Sequence, residues 1–356
     1  MVKKGFITTA IGVMSGTSLD GLDLCYVRFK YEHGWSFQIL ATKCVDYDLK
    51  WNNNLSKAHQ LSDSELENLD VNFGNFIAQE INLFIHEAQL ENPNWVCSHG
   101  HTVFHSPSNG YTRQIGCGKT IANQTKTPTV SDFRTLDVQL GGEGAPLVPI
   151  GDKLLFEEHT CCLNLGGFAN ISFDENGVRK AFDICPVNIV FNQLAKELSL
   201  PFDRGGKIAR NGTVDRREVH NLIGALPSSK HSLSREWLEE KFLPKLNELP
   251  HLPQDKLAIA TAVSVTEIAT VINERFADGT VLCSGGGTRN TFLMEELKKA
   301  CNLEIVIPED DIIDFKEALI FALLGILKSK NQINVLKSVT HASQDSSSGT
   351  IHYPRT

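Results

Sequence analysis

The segment Ile11–Phe29, IGVMSGTSLDGLDLCYVRF, sets a centre of glycine, serine, threonine and aspartate between two apolar runs. Phe6–Val13 and Leu22–Phe29 are predicted strands on either side of this turn, and a third apolar run lies near Phe37–Cys44. The centre has neither a lysine after its glycines nor G-x-G-x-x-G spacing, so it is not a Walker loop or a dinucleotide fingerprint. It predicts a hairpin tip that can approach a small anion, although these are also ordinary turn residues.

Length and composition define the class of protein. The chain has 356 residues, which favours two domains over one core, and 41% hydrophobic with 21% charged residues is ordinary for a globular protein. A net charge of -8 argues against a broad nucleic-acid surface. The nine cysteines show no C-x-x-C spacing, so we expect a reducing cytoplasm and no disulfide framework. We interpret the N-terminal apolar run as a strand and not a leader, and we expect no membrane span.

A second cycle of strand, glycine turn, strand and hairpin begins near Cys161. Before it, Ser62 and Glu65 form a capping-box pattern ahead of an amphipathic helix. After it we expect helices near residues 189–198 and 256–275, then a strand, a glycine turn and a helix. We predict an N-terminal domain over 1–140, with the segment at about 330–356 packing back on it, and a C-terminal domain over 141–330. The terminal SQDSSSG is a predicted flexible or loop-like tail.

Three glycine turns of similar build follow short apolar strands. The second is NLGGFANIS (Asn164–Ser172) and the third is CSGGGTRN (Cys283–Asn290). Their order of hairpin, hairpin and strand-to-helix turn resembles the actin, hexokinase and Hsp70-like ATPase superfamily. This resemblance implies two α/β domains of the ribonuclease H-like type with an ATP cleft between them.

Within that superfamily the chain resembles the anhydro-N-acetylmuramic acid kinases. The segments that carry the resemblance, in the family's order, are GVMSGTSLDGLD, SHGHT, QIGCGKTIANQTKTPTVSDFRTLDVQLGGEGAPLVP, LNLGGFANIS, SGGGTRN and EALIFALL. They imply an enzyme that uses ATP and Mg²⁺ to phosphorylate O6 of 1,6-anhydro-N-acetylmuramic acid while water opens the anhydro ring. The product would be N-acetylmuramic acid 6-phosphate, formed in the cytoplasm during peptidoglycan recycling. The partner would be this small amino sugar, with no nucleic acid or membrane, and a homodimer is allowed.

The resemblance assigns roles to individual residues. Asp183 would be the general base, and His99, Arg134 and Glu317 would bind the sugar. The loops for ATP comprise Gly16, Thr17, Ser18, Leu19, Asp20, Gly21, Asp23, Gly166, Gly167, Asn170, Gly285, Gly286 and Gly287, and Asp20 would also bind the metal.

Three of these acid-base and sugar-side assignments have a purely structural alternative. Asp183 suits the capping of a helix that begins near Asn188. Arg134 suits an ion pair with Asp132 or Asp137. Glu317 lies on an apolar helix, where it is either a sugar ligand or an acid of the helix N-terminus.

The chain departs from the family pattern in three places. The usual FDTGPGN is FDICPVN here, so Cys185 and Val187 replace glycines. SHGQT is SHGHT and GQGAPL is GEGAPL, from which we hypothesise a compensating pair of His101 and Glu143. A metal site is also possible on three nearby histidines, His99, His101 and His105. The resemblance disfavours it, because the family pattern has glutamine, which is not a usual metal ligand, at position 101.

Two other classes of function stay open on the sequence alone. One is an ATP-dependent conformational or metal-binding module that acts on a macromolecule, like tRNA-modifying or chaperone-like members of the superfamily. The other is a phosphohydrolase. Only the sugar kinase requires an anhydro sugar for release of ADP.

Overall fold

The computed structural model describes residues 5–16, 19–227 and 233–355. The chain divides into two compact units, Met1–Leu155 together with Phe315–Thr356, and Phe156–Asp314. The corresponding boundaries predicted from the sequence lie near residues 140 and 330. The C-terminal segment lies in the first unit.

Strands and helices are numbered in chain order. The strands are β1 (Phe6–Ser15), β2 (Leu22–Tyr31), β3 (Trp35–Val45), β4 (Trp95–Ser106), β5 (Tyr111–Ile115), β6 (Thr129–Ser131), β7 (Cys161–Leu165), β8 (Phe168–Glu175), β9 (Val178–Pro186), β10 (Thr280–Ser284), β11 (Glu304–Val306) and β12 (Thr350–His352). The α-helices are α1 (Leu49–Ser56), α2 (Asp63–Glu87), α3 (Gly118–Thr125), α4 (Thr135–Gln139), α5 (Val148–Leu155), α6 (Asn188–Glu197), α7 (Lys207–Asn211), α8 (Arg216–Ile223), α9 (Arg235–Trp237), α10 (Leu243–Asn247), α11 (Pro253–Arg275), α12 (Thr291–Ala300), α13 (Asp310–Ser329) and α14 (Lys337–Thr340). A π-helical turn, Leu238–Phe242, joins α9 to α10, and a 3₁₀ turn, Gly286–Arg289, follows β10.

Both units are built on the same strand plan. In the first unit the sheet order is β12-β6-β4-β1-β2-β3, with β5 paired to β4 as a hairpin. In the second unit the order is β11-β10-β7-β8-β9. Each unit begins with three antiparallel strands, β1–β3 in the first and β7–β9 in the second. A later strand then pairs parallel to the first of the three, β4 with β1 and β10 with β7. This repeated arrangement is the ribonuclease H-like plan, and it confirms the two-domain α/β prediction.

Helix α13 lies directly against β1 in the first unit. A Cβ at Gly12 would fall 1.8 Å from the carbonyl oxygen of Ala318, and a Cβ at Gly325 would fall 2.1 Å from Cys97 Sγ. Only glycines permit so close an approach of backbone to a neighbouring element. The contact fixes Glu317, the residue before Ala318, relative to β1.

The capping box predicted at the start of α2 is present. The Ser62 N–H donates to Glu65 Oε2 (2.9 Å), and buried side chains such as Phe73 and Ile77 face the first unit's core. The terminal SQDSSSG is loop-like, but it is held and not free. Asn334 brackets Ser348 with two hydrogen bonds, of 2.9 Å and 2.6 Å, and β12 then pairs with β6.

Helix α11 belongs to the core of the second unit. Among the described residues it is the helix whose length and apolar composition would suit a membrane crossing, but most of its apolar window is buried within the protein. Such burial is typical of the central helix of a globular unit.

Candidate functional site

The first glycine turn joins β1 to β2, as the sequence predicts. Leu19 adopts a left-handed conformation (φ 62°), and its N–H donates to the Gly16 carbonyl at 3.4 Å. Asp20 is exposed at the tip, whereas Asp23 is half-buried on β2 opposite Met14. Thr17 and Ser18, which the sequence analysis assigns to ATP, lie outside the described residues. The turn therefore presents an exposed carboxylate next to closely spaced backbone groups.

The second glycine turn joins β7 to β8 and is closed by the start of α6. The Gly167 carbonyl accepts from the N–H groups of Val187 (2.8 Å) and Ile189 (3.3 Å), and the Gly166 carbonyl accepts from that of Asn188 (3.3 Å). Both glycines take part in these bonds through their carbonyl oxygens only, and their N–H groups are not used in them. Such N–H groups are the part of a turn that holds a phosphate.

The third glycine turn packs against the second. Gly285 has φ 84°, and a Cβ there would lie 2.5 Å from Asn164 Oδ1, while a Cβ at Gly287 would lie 2.7 Å from that of Leu165. A Cβ at Gly286 would meet no atom within 4 Å. The first and third glycines are thus needed for packing, and Gly286 faces open space.

The departures in FDICPVN do not open the loop. Cys185 and Val187 are fully buried, and Cys185 Sγ–H points to the Ser264 carbonyl at 4.0 Å. The Val187 N–H makes the bond to Gly167 described above. The two replacement side chains therefore fill the core behind the turn, and the backbone contact that closes it is kept.

Asp183 lies within β9 opposite Asn170 on β8, beside a register shift between Ala169 and Asn170. Such a bulge re-aims the side chains next to it. Asp183 Oδ2 accepts from the Leu233 N–H (2.8 Å), and no contact to Oδ1 is found among the described residues. Burial raises the pKa of the carboxyl, and the Leu233 N–H opposes this in part. Val187 is the N-cap of α6 and this cap has no side-chain hydrogen bond, so Asp183 does not cap that helix.

Arg134 is held by two contacts that the sequence analysis did not expect. Its Nε donates to His99 Nε2 (2.8 Å), and Nη1 donates to the Gly144 carbonyl. Burial lowers the pKa of Arg134 to about 10, which leaves it charged at neutral pH. In the part of the chain that the structure describes, neither Asp132 nor Asp137 forms an ion pair with it. The remaining guanidinium donors are available to an anion.

His99 fixes Arg134 and is itself fixed. Its Nδ1 lies 2.8 Å from the Gly100 carbonyl, so Nδ1 carries the proton and Nε2 accepts from Arg134. Burial, followed by the charge of Arg134, holds the pKa of His99 well below its usual value. Both ring nitrogens are occupied, so neither is available as a metal ligand.

Glu317 shares this region of the first unit. Its side chain is accessible to solvent, yet desolvation by the surrounding protein raises the pKa of its carboxyl, while Arg134 lowers it and Asp23 raises it further. The neighbouring Lys316 pairs with Asp152 at 2.8 Å. Arg134 thus contacts His99, and its charge acts on the carboxyl of Glu317.

The hypothesised pair of His101 and Glu143 is wrong. His101 is buried on β4, and its Nδ1 lies 3.1 Å from Ser15 Oγ. Glu143 lies in the exposed loop after α4, where its Oε1 is 3.0 Å from His341 Nδ1. One side chain faces the core and the other faces solvent, so each has found a different partner.

Comparison with known proteins identifies the family. The sequence model of the anhydro-N-acetylmuramic acid kinase family matches residues 8–354. The chain belongs to this family. Curated members from Gloeobacter violaceus (33% identity, 97% of this chain and 98% of theirs) and Colwellia psychrerythraea (30%, 97% of each) are named anhydro-N-acetylmuramic acid kinase. Among solved structures, a ligand-bound xylulose kinase from Lactobacillus acidophilus aligns with 10% identity, a TM-score of 0.42, and 98% of this chain and 94% of its own.

Two structural supports of this candidate site were not predicted in these roles from the sequence. Asp137 is fully buried and accepts from the Gly144 N–H and from Thr340 Oγ1, both at 2.8 Å. It thereby holds the loop whose Gly144 carbonyl contacts Arg134. The DFRTLD motif draws attention to Asp137, but nothing in the sequence signals Thr340, which lies 203 residues further on.

The second support involves the glycine-rich loop that precedes α7. A Cβ at Gly206 would lie 2.2 Å from Asn290 Oδ1, and Thr291 Oγ1 donates to the Gly205 carbonyl (2.9 Å). The sequence alone gives this loop no role. It packs against the end of the family's SGGGTRN motif.

A cavity of about 340 Å³ lies in the first unit, next to His99. Its lining includes His99, Asp132, Arg113 and His352, but, among the described residues, neither Arg134 nor Glu317. The cavity is therefore a neighbour of the candidate sugar residues and not the point where they converge.

Proposed function

We propose that this chain is an ATP-dependent kinase that converts 1,6-anhydro-N-acetylmuramic acid to N-acetylmuramic acid 6-phosphate. The observation that carries the proposal is the placement of Asp183. It lies on the strand that runs into the turn closing the Gly166–Gly167 phosphate loop, with one carboxylate oxygen held and the other without a contact among the described residues. These contacts support the proposal that a base and a phosphate cradle share one stretch of backbone.

The chemistry assigns the water side of the reaction to Asp183. Water attacks the anomeric carbon, a new C1–O bond forms, and the C1–O6 bond breaks. O6 takes the γ-phosphoryl group of ATP as its bond to the β-phosphate oxygen breaks, so ADP leaves. Asp183 accepts the proton of the attacking water, and its raised pKa brings the carboxylate closer to the working pH of a general base.

The sugar side is assigned to Arg134, Glu317 and His99. Arg134 has donors left for the lactyl carboxylate of the substrate, because His99 and Gly144 occupy only part of its guanidinium. Glu317 is accessible and charge-coupled to Arg134, which suits a ligand for a sugar hydroxyl. We assign His99 to holding Arg134 in place.

The phosphates of ATP are assigned to the first two glycine turns, and adenosine to the third. Mg²⁺ neutralises phosphate charge in such transfers and is usually held by one or two carboxylates together with the phosphates. Asp20, exposed at the tip of the first turn, fits that requirement. No cluster of three or more metal-ligating side chains is found among the described residues.

The substrate class indicates the setting of the reaction. An anhydro-muramic sugar is a cell-wall fragment, so we place the enzyme in peptidoglycan recycling in the cytoplasm. Size-exclusion chromatography with light scattering would show whether the chain forms a homodimer.

Release of ADP tests the proposal. Purified protein with Mg²⁺ and ATP is incubated with 1,6-anhydro-N-acetylmuramic acid, N-acetylmuramic acid, glucose or no sugar. We expect ADP only with the anhydro sugar, together with a product of the mass of N-acetylmuramic acid 6-phosphate. Equal turnover without sugar would point to a phosphohydrolase. Nucleotide binding without turnover on any sugar would favour a module that acts on a macromolecule.

A further inference from the structure

Three buried polar side chains form a chain of hydrogen bonds at the end of β1. Ser15, Tyr47 and His101 expose 1%, 7% and 4% of their surfaces. Tyr47 Oη donates to Ser15 Oγ (2.7 Å), and Ser15 Oγ lies 3.1 Å from His101 Nδ1. The three residues come from β1, from the segment after β3 and from β4.

The protonated phenol sets the direction of the first bond, and the tautomer of His101 sets the direction of the second. Burial raises the pKa of the Tyr47 phenol, so its hydroxyl is protonated and donates to Ser15. We assign the neutral tautomer of His101 that carries its proton on Nε2, so that Nδ1 accepts the single hydrogen of Ser15. Burial lowers the pKa of His101 to about 4, which keeps the ring neutral at physiological pH.

The position of Ser15 gives this chain of bonds its significance. Ser15 is the last residue of β1, and the first glycine turn starts at Gly16. The pairing of β1 with β4 shifts in register between Val13 and Ser15, and Ser15 then pairs with His101. A strand end at a bulge has fewer ladder contacts than a regular strand. On the other side β1 pairs regularly with β2 as far as Ser15 and Leu22, so the side-chain bonds support the start of the turn on the β4 side, where the ladder is interrupted.

In the family pattern that the sequence resembles, glutamine takes the place of His101, and a glutamine would suit the same contact. A glutamine amide oxygen accepts a hydrogen bond as the imidazole Nδ1 does. Histidine in place of glutamine at position 101 thus keeps an acceptor for the Ser15 hydroxyl, and no compensating change at Glu143 is required.

We propose that His101 is a positioning residue for the first phosphate loop, acting as the terminal acceptor of the bonds from Tyr47 through Ser15. This inference rests on the proposed assignment of that loop to ATP. It extends the assignment to two residues, His101 and Tyr47, that the first glycine turn does not contain.

The test compares His101→Leu, His101→Gln and Tyr47→Phe, with Thr125→Val as a control. Thr125 is a buried hydroxyl in the same unit that bonds to the Ile121 carbonyl, away from the loop. Binding of Mg²⁺ and adenylyl imidodiphosphate is measured by calorimetry, KM for ATP and for anhydro sugar by ADP release, and unfolding by thermal melting.

We expect His101→Leu and Tyr47→Phe to weaken nucleotide binding and raise KM for ATP about 3- to 10-fold, the effect of one net hydrogen bond. KM for the sugar should stay within about twofold, and His101→Gln should stay close to the parent. Thr125→Val should lower the melting temperature without moving either KM.

The proposal is overturned if His101→Leu binds nucleotide like the parent, if both KM values rise together, or if Thr125→Val moves KM for ATP equally. A parent that binds nucleotide but shows no sugar-dependent ADP release would refute the sugar reaction, and calorimetry would still decide the role of His101. A parent that binds no nucleotide would refute both.

Discussion

At the scale of single residues, the structure excludes the purely structural roles that the sequence allows for Asp183 and Arg134. Asp183 bonds to Leu233 and does not cap α6, and Arg134 bonds to His99 and Gly144 and not to a neighbouring carboxylate. The sequence located both residues through motifs. It could not supply their partners, because Leu233 is 50 residues away from Asp183 and His99 is 35 residues away from Arg134.

Asp183→Asn tests the general base. The amide keeps the size of the side chain but cannot take a proton, so sugar-dependent kcat should fall by about 10²- to 10⁴-fold while nucleotide affinity is unchanged. In the parent, kcat should begin to fall on the acid side at a pH above the ordinary carboxyl pKa of about 4, because burial raises the pKa of Asp183. Glu175→Gln, an exposed carboxylate on the same hairpin, is the control. Turnover of Asp183→Asn within a few-fold of the parent would require another base.

Arg134→Lys tests the anion contact of the sugar. Lysine keeps the charge but loses the planar fork and the Nε bond to His99. KM for the anhydro sugar should rise about 10- to 100-fold, the range for a charged hydrogen bond, with KM for ATP within about twofold. Arg28→Lys, exposed on β2 and bonded to Gln38, is the matched control. A rise in KM for ATP alone would move Arg134 to the phosphate side.

At the scale of elements, the sequence predicts well where local chemistry decides. The strands that flank each glycine turn, the capping box of α2 and the long α11 follow from apolar periodicity and turn residues. The periodicity of apolar residues does not predict how one glycine turn packs on another. Asn164, Gly285 and Leu165 meet because β10 pairs beside β7, which is a property of the sheet order.

Gly285→Ala and Gly286→Ala test that packing. Gly285 has a left-handed φ and no room for a Cβ beside Asn164, whereas Gly286 faces open space. The first variant should lower the free energy of unfolding by about 1–3 kcal/mol, and the second by less than about 0.5 kcal/mol. Denaturant midpoints measure both. Equal loss from the two variants would mean that crowding at Gly285 does not constrain the turn.

At the scale of the whole chain, the repeated glycine turns and strand cycles made the two-domain plan predictable, and the structure repeats one strand order in both units. The sequence predicts that the chain returns to the N-terminal domain from about residue 330, but it does not give the contacts that hold this segment. Phe315–Thr356 returns to the first unit, where Thr340 bonds to Asp137 and β12 pairs with β6. Such contacts join residues some 200 positions apart and leave no periodic signal in the sequence.

The pH dependence of stability provides a test at this scale. The pKa of His101 is lowered to about 4 in the folded protein, against 6.5 for an ordinary histidine. Unfolding below pH 6.5 therefore takes up a proton, and the stability that a neutral His101 contributes is lost as pH falls from 6.5 towards 4. Between pH 7 and pH 5 this one residue should cost about 2 kcal/mol.

His101→Gln isolates that contribution, because glutamine accepts from Ser15 but does not titrate. Urea unfolding at pH 7 and pH 5 should show the parent losing about 2 kcal/mol more than the variant over this interval. Buried His99, also with a lowered pKa, acts in the same direction in both proteins and cancels in the comparison. Burial raises the pKa of Asp183 and Glu317, which opposes the trend, and it cancels likewise. An identical pH dependence in the two proteins would mean that His101 takes up its proton at the same pH in the folded and the unfolded protein, so that its pKa is not lowered by burial.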